Sequence, residues 1–468
     1  MMEKIERFLE DHREQMVQSI CELVRIPSVD APPEGEYPFG RNMQRALDYV
    51  FDLGRSMGFT AKDVDHYAGH LEWGNSGKLF GVLGHLDVVP AGTGWSVEPF
   101  AGIVKDGMIW GRGVSDDKGP LVAAMYALWA VKQSGLEPKN RVRLIFGTNE
   151  ENEWKGIKHY FRKEQAPVFA VTPDAGYPGT FAEKGILTFD VRGEVDLSEP
   201  AAVQVREMEG GEAHNMVPPQ AHLSLRCDDV QGVLEQAREF SRTSGVSLQA
   251  QALEETGAVD VRFQGKAAHG AVPEMGKNAI FGLLDFLSIL DTGPSVARAV
   301  KKLRALFSGD ISGKALGIAG MDDVSGSLTL NLGVLRVVQG RVVATLDIRY
   351  PVFFDFDRIW QQITLCCAPF SATLTSHNPP LFVSPEHPRL QQLMEVFESV
   401  TGEKGSMSTM GGGTYARSVP MGVAFGANWP DEQTYAHQPD ERKTIDSLML
   451  HAKIYAHLLA KWLKENDC

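Results

Sequence analysis

Polar side chains at the ends of apolar runs are the feature that most constrains how this chain folds. Three short apolar runs are followed by acidic or imidazole side chains: 79–83 by His85 and Asp87, 141–146 by Glu150 and Glu151, and 169–171 by Asp174. Such runs predict buried strands, and open α/β sheets place their sites at the carboxyl ends of their strands. The pattern therefore predicts an α/β fold with reactive side chains at one edge of a sheet.

A glycine-rich segment adds two more acids. Gly111–Pro120 contains Asp116 and Asp117 directly before Leu121–Gln133, an alanine-rich run that predicts a helix. Helix capping explains one of these acids well and two poorly. Phosphate binding is excluded, because adjacent carboxylates repel a phosphate and the sequence has no Walker spacing.

Composition narrows the class of partner. The formal net charge of −14 argues against nucleic acid and anionic membranes as partners.

The N-terminus has no apolar signal-peptide core and no run is long enough to span a membrane, so we expect a cytoplasmic protein. The cysteines have no metal-binding spacing and are expected to be reduced thiols: Cys21, Cys227, Cys366, Cys367 and Cys468.

The pattern of predicted elements changes twice along the chain. Residues 1–182 and 381–468 share one α/β style, and apolar spacing over 3–24 predicts a first helix that Pro27 ends. Residues 183–380 instead carry strand-like runs and helices without strict β-α-β order, which is typical of an α+β domain. A different middle segment between similar ends predicts a catalytic domain, 1–182 and 381–468, with an inserted domain, 183–380.

A set of imidazoles and carboxylates from distant parts of the chain forms a candidate metal site: His85, Asp116, Glu151, Asp174 and His437. Imidazole and carboxylate ligands without a thiolate favour zinc, with manganese or cobalt as alternatives. The carboxylate share is high for one ion and suits two ions about 3.5–4 Å apart. Asp116 is the candidate bridge, and two cations would lower the pKa of a water held between them.

Two further acids are candidates for other roles. Glu150 is the candidate general base, which would take a proton from the metal-bound water and deliver it to a leaving amine. The alternative for Glu150 is a solvated carboxylate. Asp87 is the candidate partner for the second N–H of His85, which would fix the tautomer of that ring.

Several motifs resemble the co-catalytic zinc exopeptidase family, which includes aminoacylases, carnosinases, desuccinylases and glutamate carboxypeptidases. These motifs are Gly84–Pro90, Gly111–Gly119, Thr148–Glu151, Pro173–Ala175 and His437. Four other segments resemble the bacterial dipeptidases within that family: Asn215–Pro218, Ala268–Ala279, Asp347–Pro351 and Gly411–Arg417. The resemblance runs in order along essentially the whole chain.

This resemblance implies a fold and a set of metal ligands. It implies a catalytic domain with a mixed sheet flanked by helices, an inserted α+β lid domain, and hydrolysis of unblocked dipeptides. The implied cofactor is a pair of zinc ions. The implied ligands are His85 and Asp174 for one zinc, Glu151 and His437 for the other, and Asp116 for both. A cis peptide bond is implied at Asp116–Asp117.

The resemblance also implies substrate contacts from the lid. His269 would stabilise the tetrahedral intermediate, while Asn215 and Arg349 would hold the terminal carboxylate. Gly412 is also expected to bind substrate. From the residues alone, Arg349 could instead pair with a nearby acid such as Asp347, and His269 could be a turn residue.

The lid sequence bears on the path of one loop and on the oligomeric state. Pro219 stands where the family pattern usually has aspartate, which leaves the path of the Asn215 loop open. The resemblance also implies a monomer, because the bacterial dipeptidases of this type have an enlarged lid that lets one chain supply all the residues of its site, and the long middle domain here fits such a lid.

Two other functions compete with dipeptide hydrolysis. An N-acyl amino acid amidohydrolase, acting on N-acetyl or N-succinyl substrates, would use the same chemistry. A catalytically inactive peptide- or metal-binding protein would keep the fold but would not need Glu150 beside Glu151.

Overall fold

The structure of the protein, a computed structural model, describes residues 1–253 and 257–465. It forms two compact units. Unit 1 comprises Met1–Ala182, Phe382–Thr409 and Gly413–Cys468, and unit 2 comprises Glu183–Leu381 and Met410–Gly412. Cys21, Cys227, Cys366 and Cys367 are free, and Cys468 lies outside the described residues.

The α-helices are numbered in chain order. They are α1 (Met2–Asp11), α2 (Arg13–Val24), α3 (Arg41–Ser56), α4 (Lys118–Gln133), α5 (Lys155–Lys163), α6 (Val230–Ser244), α7 (Ala279–Leu287), α8 (Pro294–Phe307), α9 (Phe356–Cys367), α10 (Pro388–Thr401) and α11 (Ile445–Lys464). None of these described helices combines the length and apolar character needed to cross a bilayer.

The strands are numbered in the same way. They are β1 (Thr60–Val64), β2 (Ala68–Trp73), β3 (Leu79–His85), β4 (Ile103–Lys105), β5 (Met108–Trp110), β6 (Arg141–Gly147), β7 (Phe169–Thr172), β8 (Ala175–Gly176), β9 (Thr180–Glu183), β10 (Gly185–Glu194), β11 (Val203–Gly210), β12 (Gln220–Cys227), β13 (Ser247–Ala252), β14 (Ala258–Gln264), β15 (Met321–Asp322), β16 (Gly326–Ser327), β17 (Thr329–Val338), β18 (Arg341–Tyr350), β19 (Ser371–Asn378), β20 (Leu381–Phe382), β21 (Ser408–Met410), β22 (Gly422–Ala424), β23 (Ala427–Asn428) and β24 (Arg442–Thr444).

The main sheet of unit 1 is mixed. Its order is β1-β2-β6-β3-β7-β22-β9-β20. Strand β3 pairs in parallel with β6 and β7, whereas β2 is antiparallel to β1 and β6. All seven residues of β3 are buried, as expected for a central strand covered on both faces. Helix α4 is buried along nearly its whole length, so the polar groups at the end of β3 adjoin a closely packed core.

Gly84, the penultimate residue of β3, leaves space for the segment that follows the glycine-rich loop. A Cβ atom at this position would overlap the carboxylate of Asp117 and the side chain of Leu121. We expect Gly84→Ala to lower the free energy of unfolding by about 1–3 kcal/mol, the usual cost of overpacking. Urea unfolding measures this loss.

Gly176→Ala is the matched control for that substitution. The nearest atom to its new Cβ would be the Asn428 carbonyl oxygen at 3.7 Å, an ordinary contact distance. We expect this variant to stay within about 0.5 kcal/mol of the wild type. Equal losses in the two variants would contradict the overpacking at Gly84.

Unit 2 is an α+β unit built on one antiparallel sheet. The strand order is β13-β14-β12-β11-β17-β18-β10-β19. The sheet consists of two four-stranded halves that meet where β11 pairs with β17. Helix α6 connects β12 to β13 in one half, and α9 connects β18 to β19 in the other. The two halves thus repeat one strand-helix-strand plan. Val233 of α6 and Ile363 of α9 share an apolar core with Leu283 of α7 and Val300 of α8.

The predicted fold class, an α/β catalytic part with an α+β part, is confirmed by these sheets. The prediction of one helix over residues 3–24 is wrong, because the helix is interrupted at His12. The His12 backbone leaves the helical conformation at φ −108° and ψ 13°. Its ring Nδ1 lies 2.8 Å from the Phe8 carbonyl oxygen and the ring stacks on Phe8, so side-chain contacts occupy the end of the first helix.

Candidate metal centre

Three parallel strands carry predicted site residues to the same edge of the unit 1 sheet. His85 is the last residue of β3 and pairs with Gly147, the last residue of β6. Glu150 and Glu151 follow β6 after two residues, and Asp174 follows β7 after Pro173. Because all three strands run in the same direction, their carboxyl ends lie side by side.

The structure brings the predicted ligands together in two groups that share Asp116. One group is His85, Asp116 and Asp174, and the other is Asp116, Glu151 and His437; within each, the ligand atoms lie within 4.8 Å of one another. Oδ1 of Asp116 lies 2.8 Å from Nε2 of His85, whereas its Oδ2 lies 3.1 Å from Nε2 of His437. The two oxygens of a single carboxylate therefore face two different imidazoles.

The carboxyl groups of this cluster lie close to one another. Burial, followed by the effect of nearby Asp116, raises the pKa of Asp174 well above its ordinary value. Burial also raises the pKa of Glu150 well above its ordinary value, and the adjacent Glu151 adds to the rise. The pKa of Glu151 is also raised, and burial is the first cause and Asp116 the second.

The pKa values of the two imidazoles are also raised, but by contacts with carboxylates and against the effect of burial. Burial by itself lowers the pKa of His437, but contacts with Asp116 and Glu151 raise it to about 11. Burial alone would lower the pKa of His85 too, but the neighbouring carboxylates of Asp116 and Asp87 raise it well above the ordinary value. Asp116 itself has a lowered pKa: burial opposes the shift, and His437 and His85 cause it. The imidazoles and carboxylates thus shift one another's pKa values, and a buried cluster in which acidic side chains outnumber imidazoles fits a site for divalent cations.

The loop that carries Asp116 has an unusual backbone. Gly111 and Gly113 have φ values of 146° and 90°, and the Asp116–Asp117 peptide bond is cis, as the family resemblance implies. Asp117 precedes α4, but its side chain makes no capping hydrogen bond. It is fully buried, and neither of its oxygens has a hydrogen-bond partner among the described residues. Helix capping therefore does not account for Asp117.

Asp87 makes different contacts from those predicted. Nδ1 of His85 lies 2.9 Å from the main-chain oxygen of Asp87 and 3.6 Å from its Oδ1. The predicted side-chain hydrogen bond is therefore replaced by one to the main chain. The two residues are only two positions apart, and at this separation the carbonyl oxygen of Asp87 lies closer to the ring than its carboxylate does. The Asp87 carboxylate instead accepts a hydrogen bond from the Glu151 main-chain N–H at 2.9 Å.

The turn that carries Glu150 and Glu151 is closed by Asn149. Its carbonyl accepts the Trp154 N–H at 2.9 Å, and its side-chain oxygen accepts the Lys155 N–H at 3.0 Å. Its amide group donates to Asp30 at 3.0 Å. Together with the Asp87 contact, these bonds fix the backbone on both sides of the two glutamates.

Glu441 is a site residue that the sequence reasoning missed. It is fully buried and accepts hydrogen bonds from the loop that carries Asp116. The sequence feature that could have indicated its role is its position four residues after the candidate ligand His437. An acid in a polar loop has the same sequence appearance as a surface carboxylate, so this signal did not distinguish it.

Unit 2 brings two of the predicted substrate-binding residues together. The Asn215 carbonyl accepts the Gly270 N–H at 2.7 Å, and Met216 pairs with His269 in an isolated β-bridge. Nδ1 of His269 accepts the Ala271 N–H at 3.1 Å. In a neutral ring the proton then lies on Nε2, which can act as a donor. The side chains of Asn215 and His269 belong to exposed residues.

Arg349, also in unit 2, is paired with Asp347, as the alternative reading of the sequence anticipated. Nε and Nη2 of Arg349 donate to the two carboxylate oxygens of Asp347 at 2.7 and 3.1 Å. Nη1 donates to the carbonyl of Gly411, next to the predicted substrate-binding residue Gly412, at 3.2 Å. Both Arg349 and Asp347 are buried. A guanidinium has five N–H groups, so these contacts leave one N–H on each terminal nitrogen.

Comparison with known proteins identifies sequence relatives along nearly the whole chain. A sequence model of peptidase family M20/M25/M40 matches residues 81–461. The chain is 36% identical over 457 residues to "Putative dipeptidase YtjP" of Bacillus subtilis, which covers 97% of this chain and 98% of that protein. It is 34% identical over 462 residues to "Putative dipeptidase SSP1012" of Staphylococcus saprophyticus, with 97% and 98% covered.

Solved structures share the fold at much lower identity. Human carnosine dipeptidase 1 has a TM-score of 0.62 at 16% identity, with 99% of each chain covered. The dipeptidase Dug1p of Saccharomyces cerevisiae has a TM-score of 0.63 at 16% identity, with 100% of this chain and 99% of that chain covered. The solved structures show the shared fold, and the family match with the sequence relatives shows that the chain belongs to peptidase family M20/M25/M40, a family of metal-dependent hydrolases.

Proposed function

We propose that this protein hydrolyses the amide bond of unblocked dipeptides at a dinuclear zinc centre, with manganese or cobalt as alternative metals. The observation that carries the proposal is the position of the two Asp116 oxygens, which face His85 on one side and His437 on the other. The dipeptidase names of relatives at 34–36% identity support the substrate class.

The metal ligands follow from the two groups. His85 and Asp174 would hold one ion, Glu151 and His437 would hold the other, and Asp116 would contact both. Nitrogen and oxygen ligands without thiolate suit zinc, and also manganese or cobalt. When bound, such a pair of ions lowers the pKa of a water molecule and polarises the scissile carbonyl.

Glu150 is the proposed general base. It lies next to Glu151 but belongs to neither ligand group. The Asp87 carboxylate and Asn149 fix the turn that presents it. In the proposed reaction Glu150 accepts a proton from the attacking water and passes it to the nitrogen of the leaving amine as the amide bond breaks.

Unit 2 is the proposed source of the substrate-binding residues. His269 can donate from Nε2 to the oxygen of the tetrahedral intermediate, because its Nδ1 accepts the Ala271 N–H. Asn215 and the remaining N–H groups of Arg349 are proposed to bind the terminal carboxylate of the dipeptide. Gly412 is proposed to contact the substrate through its backbone. The monomeric state stays a prediction.

A substrate panel tests the proposed specificity. Purified protein with added Zn²⁺ would be assayed with dipeptides, the corresponding N-acetyl and N-succinyl amino acids, and a tripeptide. We expect dipeptides to give the highest kcat/KM. The kcat/KM of dipeptides should exceed that of the other substrates by about 10- to 100-fold, since one hydrogen bond to a charged group of the substrate contributes about 1.5–3 kcal/mol.

Each outcome of the panel distinguishes between the candidate functions. Turnover of the N-acyl amino acids alone would replace the dipeptidase proposal with an amidohydrolase. No turnover of any substrate by a protein that binds zinc and peptide would support a binding protein without catalysis.

A further inference from the structure

Glu441 lies in the same loop as His437 and is directed towards the loop that carries Asp116. It directly precedes β24, whose first residue, Arg442, pairs with Trp110 at the end of β5. The main-chain carbonyl of Glu441 also accepts the Gly111 N–H at 2.9 Å. The backbone of Glu441 is thus fixed beside the start of the glycine-rich loop.

The Glu441 carboxylate accepts four hydrogen bonds from that loop. Its Oε2 accepts from Nη1 of Arg112 at 2.8 Å and from the Gly113 N–H at 3.1 Å. Its Oε1 accepts from the Ser115 N–H at 2.9 Å and from the Asp116 N–H at 3.3 Å. Both carboxylate oxygens are therefore occupied, and one donor is the main chain of the proposed bridging ligand itself.

These bonds replace the regular structure that the loop lacks. Residues 111–116 belong to neither a helix nor a strand, yet Gly113, Ser115 and most of their neighbours are buried. A buried N–H without an acceptor is costly, so the loop backbone needs a partner from outside the loop. The buried Glu441 carboxylate is that partner for three main-chain N–H groups of the loop, those of Gly113, Ser115 and Asp116.

We propose that Glu441 is a positioning residue for the metal centre: it holds Asp116 so that its two oxygens face His85 and His437. This inference rests on the proposed metal site. Because Glu441 and His437 lie in one loop, the same carboxylate also connects the His437 ligand to the Asp116 ligand. Contacts that orient ligands in this way typically change metal affinity 10- to 100-fold when they are removed.

Glu441→Gln is the principal test variant. The amide nitrogen of glutamine cannot accept the hydrogen bonds of the loop, and it places a donor opposite the donors of that loop. The metal-free variant would be titrated with Zn²⁺ by calorimetry, and the absorption spectrum of the Co²⁺-loaded protein would report ligand geometry. We expect zinc affinity to fall about 10- to 100-fold and the cobalt spectrum to change.

Glu164→Gln is the matched control. Glu164 is another largely buried acid of unit 1, and it pairs with Arg143 at 3.2 Å and Lys62 at 2.6 Å. Thermal unfolding of the metal-free proteins would show the stability cost of each substitution. We expect Glu164→Gln to lower stability without changing zinc affinity or the cobalt spectrum.

The outcomes separate the inference from the proposed function. A wild type that fails to bind two zinc ions would contradict the metal centre itself. If the wild type binds two ions and Glu441→Gln matches its affinity and cobalt spectrum, the positioning role is wrong. Should Glu441→Gln not fold, Glu441→Asp keeps the charge but withdraws the carboxylate by one methylene. Unchanged zinc affinity in that variant would equally overturn the inference.

Discussion

Glu150→Gln is expected to lower kcat by at least about 100-fold, the lower end of the contribution of general acid–base catalysis. The amide of glutamine cannot take a proton from water, whereas its size and shape preserve the turn that presents residue 150. The metal content is expected to stay the same, because Glu150 belongs to neither ligand group. Steady-state kinetics and elemental analysis of the same sample measure both quantities.

Glu153→Gln is the control for this substitution. Glu153 lies in the same acidic segment, but its side chain is 65% exposed and paired with Lys155. We expect its kcat to stay within about twofold of the wild type, since exposed ion pairs contribute little. Near-normal turnover of Glu150→Gln would contradict the proposed mechanism, and loss of metal from that variant would identify Glu150 as a ligand.

Asp116→Asn is expected to weaken both metal sites, since Asp116 is the residue that the two groups share. The substitution removes a charge and makes one of the two oxygens a nitrogen that cannot ligate. We expect each zinc affinity to fall by more than about 100-fold, beyond the range for residues that only support ligands. Zinc titration followed by calorimetry measures the two affinities, and turnover should fall with them.

Asp174→Asn is the comparison variant, which tests whether Asp116 alone is shared by both metal sites. Asp174 belongs only to the group with His85. We expect this variant to lose affinity at one site and to retain the other, so that about one zinc ion remains bound at concentrations that fill the second site. If Asp116→Asn also retained one tightly bound ion, the bridging role of Asp116 would be wrong.

The part of the site that could be predicted from sequence lies at the ends of buried strands. Strands β3, β6 and β7 are apolar and short, so the polar residues that follow them were conspicuous. His85 is the clearest case, because a fully buried strand ends on an imidazole. A parallel sheet then brings these strand ends together without any further information from the chain.

The residues marked His437 only as a histidine in a polar loop, and the family resemblance was needed to assign it to the same ion as Glu151. The His437 backbone has a φ of 62° and the residue lies in a loop. Hydrophobic periodicity identifies helices and strands and therefore does not mark a loop residue of this kind. Glu441 was harder still, because its role depends on main-chain N–H groups more than 300 residues away in sequence. Hydrogen bonds to a distant backbone leave no pattern in the residues that accept them.

Secondary structure is hardest to predict from sequence where the side chains follow no simple period. Strand β19 is exposed along most of its length and therefore lacks the alternation that marks a half-buried strand. The break at His12 also has no breaker residue, since neither glycine nor proline is present there.

The pairing of Arg349 with Asp347 has an entropic consequence. Immobilising a long side chain during association costs about 0.5–1.5 kcal/mol. Here the guanidinium orientation is already set by Asp347 and the Gly411 carbonyl, so that loss of rotamer freedom occurs on folding. In the proposed binding of a substrate carboxylate, the donor would therefore be stationary, and the affinity would depend on how well the shape of the carboxylate matches that fixed direction.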